Sequence, residues 1–266
     1  MSAGVERRFV QVPAGEIHCA IAGSGPPVLL LHQTPRSWDE YRDVLPLLGE
    51  RFRAIAMDTL GFGDSSRPPL EEDSIERWAE VAASLLDALG IERAAVVGHH
   101  TGAVIAVELA AAFPERVEAA VLSSAPLVDA AYRAAHSGRA VVDEVERRPD
   151  GSHLTELWQL RQPFYPKGDI DLLERFVADA LEAGPRAAEG HRVVARYEME
   201  TRLPLVRCPV LLVAATDDPH AYPFVAPLHA ALPTSRVAEI RGGMVPLPDQ
   251  LPDEFAATVA DFLSTI

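Results

Sequence analysis

The chain has 266 residues, 48% of them hydrophobic and 24% charged, with a formal net charge of −15. That length and balance suit a globular α/β chain with insertions and exclude a disordered or fibrous one. The acidic surplus opposes nucleic acid and anionic membranes, so the expected partner is a small molecule and the expected state a monomer or homodimer.

Cys19 and Cys208 are far apart and in no ligand-like spacing, which reads as a reduced, cytoplasmic pair. No apolar run follows Met1–Arg8, so no secretory signal is expected, and no run is long enough to span a bilayer. Residues 8–21 alternate around Pro13-Ala14-Gly15 and predict an edge hairpin. Val28–Leu31 is wholly apolar, as a strand covered on both faces should be, and runs into His32-Gln33-Thr34-Pro35. Ser37–Leu48 predicts one helix with Trp38, Tyr41, Leu45 and Leu48 on one face. Phe52–Met57 is a strand, followed by the turn Asp58–Ser65. Asp73 and Glu76 read as a capping pair that opens a helix, and Gly90 closes it. Ala94–Val97, Val117–Leu122, Val210–Ala214 and Arg236–Ile240 are further strands. Gly102–Phe113, a segment near Val225–Leu232 and a last segment opened by Pro252 are helices.

The strand–helix alternation predicts a mostly parallel, doubly wound sheet. It breaks between about 128 and 203, where helix-like segments carry Tyr132, Trp158, Phe164, Tyr165, Phe176 and Tyr197. The expected organisation is a core of 1–127 and 204–266, with 128–203 as a helical cap.

The core turns on Val96-Val97-Gly98-His99-His100-Thr101-Gly102. A strand that reverses into a helix this sharply needs glycine at both ends. The layout is that of a nucleophile elbow, G-x-S-x-G, with His100 at the raised position.

Together these landmarks resemble the α/β-hydrolase superfamily, in the branch that holds epoxide hydrolases, dehalogenases, C–C bond hydrolases and proline iminopeptidases. His32-Gln33-Thr34-Pro35 resembles the H-G-x-P loop, and Asp58–Ser65 the D-x-x-G-x-G-x-S turn. Gly98–Gly102 resembles the elbow, and Asp218-Pro219 the loop with the triad acid. Gly242-Gly243-Met244 falls where the family has G-G-H. Carried over by position, the triad reads His100, Asp218 and Met244. Methionine has no titratable group, so the relay of nucleophile and base is absent while the acid remains. The resemblance also implies an oxyanion hole from the backbone N–H groups of Thr34 and Thr101.

His100 is then a general base, a nucleophile or a metal ligand, or else fills a dead elbow. Histidine's unperturbed pKa of about 6.5 suits base work. The missing base has possible substitutes in His220, His99 and His32, and Asp217 competes with Asp218 for the acid role. His32 and His99 read more simply as packed, hydrogen-bonded residues. The hydroxyls of Ser65, Ser123, Ser124 and Thr101 are weaker nucleophile candidates. Gln33, Trp38, Trp158, Tyr165, His220 and Met244 join His32 and His99 as expected pocket residues. Three functions follow. The first is a cofactor-free, metal-free enzyme that cleaves an ester, lactone or C–C bond or acts as a lyase or cyclase. The second is a catalytically dead small-molecule binder. The third is a metal-dependent hydrolase using His32, His99, His100, Asp218 and His220.

Overall fold

A computed structural model describes residues 4–139, 141 and 143–266. Met1–Ala3 of the N-terminal segment, and Ala140 and Val142 of the insertion, lie outside the described residues. An eight-stranded sheet has the order β1-β2-β4-β3-β5-β6-β7-β8. Its strands are β1 (Glu6–Val12), β2 (Gly15–Ala22), β3 (Pro27–Leu31), β4 (Arg53–Met57), β5 (Ala94–His99), β6 (Val117–Ser123), β7 (Val210–Ala215) and β8 (Arg236–Ile240). β2 runs antiparallel to β1 and β4, and the remaining pairs are parallel.

Side chains alternate across a strand, and the sheet splits its apolar residues accordingly. Leu29, Leu31, Val96, Leu122 and Leu212 pack on one face with α2 (Ile75–Ala88) and α3 (Thr101–Ala112). Val28, Leu30, Val97, Val121 and Leu211 pack on the other with α1 (Val44–Leu48) and the last helix (Pro252–Leu263). α3 follows β5 directly, and Thr101–Ala111 is buried throughout. That explains its near-uniform apolar sequence: a helix enclosed on all sides has no polar face.

Two expected local features are corrected. Ser37–Leu48 is not one helix but a 3₁₀ turn at Trp38–Tyr41 followed by α1. Pro46 has no N–H to give Arg42, and its ring would meet that residue's carbonyl in a continuous helix. In a helix starting at Val44 it falls in the first turn, where no such bond is needed. The capping pair at Asp73 and Glu76 is replaced by Ser74, whose Oγ accepts from the Arg77 N–H at 3.1 Å. Asp73 instead accepts from Arg186 Nε at 2.9 Å.

Between β6 and β7 lie α4 (Ala130–His136), α5 (Ser152–Arg161), α6 (Ile170–Ala183), α7 (Arg186–Arg196) and α8 (Met199–Arg202). The break in the alternation corresponds to this helical insertion. It has a small core of its own from Leu157, Tyr165, Leu172, Leu173, Phe176 and Ala180. Polar clamps join it to the sheet domain. Glu108 of α3 accepts from Tyr197 Oη at 2.6 Å and from Arg202 at 2.7 and 2.9 Å. Arg36, fully buried in the loop after β3, pairs with Asp179 of α6 at 2.7 Å, with Asp39 at 3.2 Å and with Asp249. No helix among the described residues is long and apolar enough to cross a membrane.

Within the insertion, Asp143 is buried and pairs with both Arg161 and His191. Burial alone would raise its carboxyl, but those two neighbours outweigh it and hold the pKa at about 2. A carboxyl depressed on folding contributes stability above its unfolded value of about 3.9, and that contribution is lost as pH falls through the folded value. Acid unfolding followed by circular dichroism should therefore steepen between about pH 4 and pH 2. Asp143→Asn should lower stability at pH 7 and flatten that limb, and an unaltered acid limb would remove Asp143 from the account.

Candidate active site

β3, β5, β6 and β7 all end at one edge of the sheet, and the loops beyond them build the site. The elbow forms because its glycines permit two close approaches. A Cβ on Gly98 would run into Gly102 O, and one on Gly102 into Leu31 O, each well inside contact distance. Between them His100 is held at φ 46° and ψ −109°, a left-handed conformation that a residue with a Cβ keeps only when its surroundings enforce it.

His100 Nε2 lies 2.8 Å from Asp218 Oδ2. The ring N–H is turned out of line, so the contact has ion-pair distance without hydrogen-bond alignment. The distance places the two groups in direct partnership. The other oxygen of Asp218 accepts from the backbone N–H groups of His220 at 2.9 Å and Ala221 at 3.2 Å. Burial pushes this carboxyl up, yet His100 beside it and the His220 amide together hold it well below the usual carboxylate range. The neighbouring Asp217 is exposed, with its N–H given to Gly243 O at 2.9 Å. The His100 side chain keeps 15% of its surface accessible, enough for solvent to reach the ring.

The other histidines divide clearly. His32 donates from Nδ1 to Gln33 O at 2.8 Å and accepts at Nε2 from the Thr59 N–H at 2.9 Å. His99 donates from Nε2 to Val245 O at 2.8 Å and accepts at Nδ1 from Ser123 Oγ at 2.9 Å. Burial keeps both neutral, His99 down to about 3 with His100 alongside. With both nitrogens engaged, neither ring offers a lone pair to a metal. His99 meets His100 edge-on at 4.7 Å between centroids, so it braces the dyad. His220 contributes its amide to Asp218, while its ring packs on Phe164 at 4.4 Å. Dehydration against that ring lowers its pKa although much of the residue's surface stays open.

Gln33 is turned away from the elbow. Its N–H and Nε2 both donate to Glu40, at 2.9 and 2.7 Å. Thr34 N–H points to Thr101 Oγ1 at 3.3 Å, a long and weak bond, which brings the two threonines side by side. As the first residue of α3, Thr101 has an N–H with no partner within the helix. Met244 is half-buried and presents a thioether, with its N–H on Gln250 Oε1 at 2.7 Å. Trp38 does not join the group: Arg7 lies over its ring at 5.2 Å, with His18 at 6.2 Å. Trp158 packs on the insertion's own core. Tyr165 is buried in that core, and burial raises its hydroxyl pKa despite Arg36 and Arg161 nearby. A separate cluster of His18, Asp58 and Asp64 has ligand-like spacing. Arg7 already occupies it, donating to His18 Nε2 at 2.9 Å and pairing with Asp64.

The insertion reaches the site through α7. A Cβ on Gly190 would fall inside contact distance of Thr34 Cγ2 and 2.8 Å from Thr34 Oγ1. Glycine to alanine inside a helix ordinarily gains about 1 kcal/mol. Here Gly190→Ala is expected to lower the melting temperature, because α7 must lift from Thr34. A rise would show that the contact yields.

A strand–turn–helix elbow after β5, a buried acid after β7 and a mostly parallel sheet interrupted by a helical insertion define a protein of the α/β-hydrolase class. Residues 26–243 match the alpha/beta hydrolase fold family, and the chain belongs to that family. It is 38% identical over 127 residues to bifunctional epoxide hydrolase 2 of Rattus norvegicus, an alignment spanning 47% of this chain and 23% of that one. It is 37% identical over 119 residues to haloalkane dehalogenase 2 of Mycobacterium tuberculosis (strain ATCC 25618 / H37Rv), spanning 45% of this chain and 42% of that one. The chain therefore covers less than half of either relative. Among solved structures, wild-type Cfl2 from Burkholderia cenocepacia superposes with a TM-score of 0.80 at 25% identity, covering 97% of this chain and 96% of that one.

Proposed function

We propose that this chain is a hydrolase of small esters or lactones in which His100, oriented by Asp218, acts as general base on water. The carrying observation is the 2.8 Å approach of His100 Nε2 to Asp218 Oδ2. Where a serine would stop short of the acid, the longer imidazole spans the gap and occupies the ground that a separate base would hold. Once Nε2–H swings into line with the carboxylate 2.8 Å away, Nδ1 is the ring nitrogen with a free lone pair. A water oxygen attacks the substrate carbonyl carbon as its proton passes to Nδ1. The Thr34 and Thr101 amides take the oxyanion that forms. The C–O bond to the leaving group then breaks, and the alkoxide takes the proton from Nδ1. Asp218 stays ionised throughout and stabilises the imidazolium.

The inserted helices serve as a cap over this centre, and Met244 supplies an apolar wall in place of a base. No covalent acyl-enzyme arises, because no hydroxyl stands at the elbow's raised position. The test is a panel of small esters and lactones followed by proton release, together with a serine-directed phosphonate probe. Turnover without labelling is expected. Stoichiometric labelling of a serine, or stabilisation by ligands with no turnover of any panel member, would overturn the reading.

A further inference from the structure

His100 and Ser124 are the described non-glycine residues with positive φ, at 46° and 45°. They are neighbours. β5 and β6 pair His99 with Ser123, and the His100 N–H donates to Ser123 O at 3.0 Å. The Ser124 N–H donates to Val213 O of β7 at 2.9 Å. Ser124 thus ends β6 between the strand that leads to His100 and the strand that leads to Asp218. The His100–Asp218 contact crosses from the first to the third of these strand ends, over the second.

The polar atoms around this crossing are not equally satisfied. Ser123 Oγ is committed to His99, and Asp218 Oδ1 holds two backbone N–H groups. Ser124 is 2% exposed, and its Oγ has no hydrogen-bond partner among the described residues. Asp218 Oδ2 and His100 Nε2 likewise have only their misaligned contact with each other. A buried hydroxyl is a rotor with one donor, and a carboxylate oxygen with one crooked partner has lone-pair capacity to spare. A left-handed serine beside a left-handed histidine is the kind of backbone strain that persists where the surrounding structure fixes a working geometry.

We propose that Ser124 is a positioning residue of the His100–Asp218 dyad. Its hydroxyl turns onto Asp218 Oδ2, holds the carboxylate in line with His100 Nε2, and so keeps the imidazole in the tautomer with Nδ1 free. This rests on the dyad reading above, but its first consequence is visible without substrate.

The variant is Ser124→Gly, which removes the hydroxyl and accepts the positive φ without strain. Imidazole ¹⁵N spectra of the ligand-free protein, with the His100 signals assigned by their loss in His100→Ala, report the tautomer directly. Wild type is expected to show a single Nε2–H form once the ring is neutral, and Ser124→Gly a mixture of both. On an active ester, kcat should fall about tenfold with KM unchanged, the size expected for one hydrogen bond to a charged group. A Ser124→Gly protein with wild-type tautomer and wild-type kcat overturns the proposal. Should wild type turn over no ester at all, the hydrolase reading fails, and Ser124 stands or falls on the tautomer alone.

Discussion

His100→Ala is expected to lower kcat/KM on any ester the wild type hydrolyses by a factor of about 10² to 10⁴, the range that a positioned general base contributes. The loss should appear mainly in kcat, because the imidazole acts on the reacting water in the transition state rather than on the remote parts of the substrate. The variant should fold. His100 is part-exposed at the strand end, and its backbone geometry is imposed by Gly98 and Gly102 rather than by its ring. A histidine that merely filled a dead elbow would give no activity to lose.

The largest effect on stability is expected at Arg36. Its guanidinium is fully buried and meets Asp39, Asp179 and Asp249, two of them on elements distant in sequence. Arg36→Leu leaves Asp249 facing a low-dielectric interior with Arg175 at 2.7 Å as its ion-pair partner, while Asp39 keeps Arg175 at 2.6 Å and Arg42. Removing one member of a buried charge network costs about 3–5 kcal/mol, which a urea titration reads as a lower midpoint with little change in slope. The pH dependence has a definite sign. Burial already lifts the Asp249 carboxyl to about 6 against the pull of Arg36 and Arg175. Without Arg36 it rises further, and a protonated Asp249 needs no counter-ion. The deficit should therefore be smaller at pH 5 than at pH 8, and an equal deficit at both would mean that Asp249 does not rely on Arg36. Arg36 stands two residues beyond Thr34, and its N–H donates to Gln33 O at 2.8 Å. The network that fastens α6 therefore also sets the loop carrying one proposed oxyanion donor.

The fold was legible because its landmarks are local. Gly98 and Gly102, the apolar runs at Val28–Leu31 and Val210–Ala214, and the loss of strand signal after residue 128 each follow from backbone sterics or burial within a short window. Parts of the site were legible for the same reason, as with Asp218 at the end of an apolar strand. What escaped depended on side-chain reach. The sequence places histidine at the elbow and methionine at the base position, but not the fact that one imidazole reaches the acid directly. His220 was a reasonable substitute base two residues from Asp218, yet only its amide faces the carboxylate and its ring turns to Phe164. Arg36 carries no local signal because its partners Asp179 and Asp249 stand 143 and 213 residues away. Trp38 is a pocket candidate in the sequence, but the partners that draw its ring away, Arg7 and His18, lie on the edge hairpin well before it in the chain.

A double-mutant cycle on kcat/KM for a single ester tests whether His100 and Asp218 act as one catalytic unit. Groups that work through each other are non-additive. With His100→Ala in place, adding Asp218→Asn is expected to change the residual rate by less than about twofold, although Asp218→Asn alone should cost at least about tenfold. Losses that multiply would show that the two residues act separately, and a His100→Ala enzyme as fast as wild type would remove His100 from the chemistry.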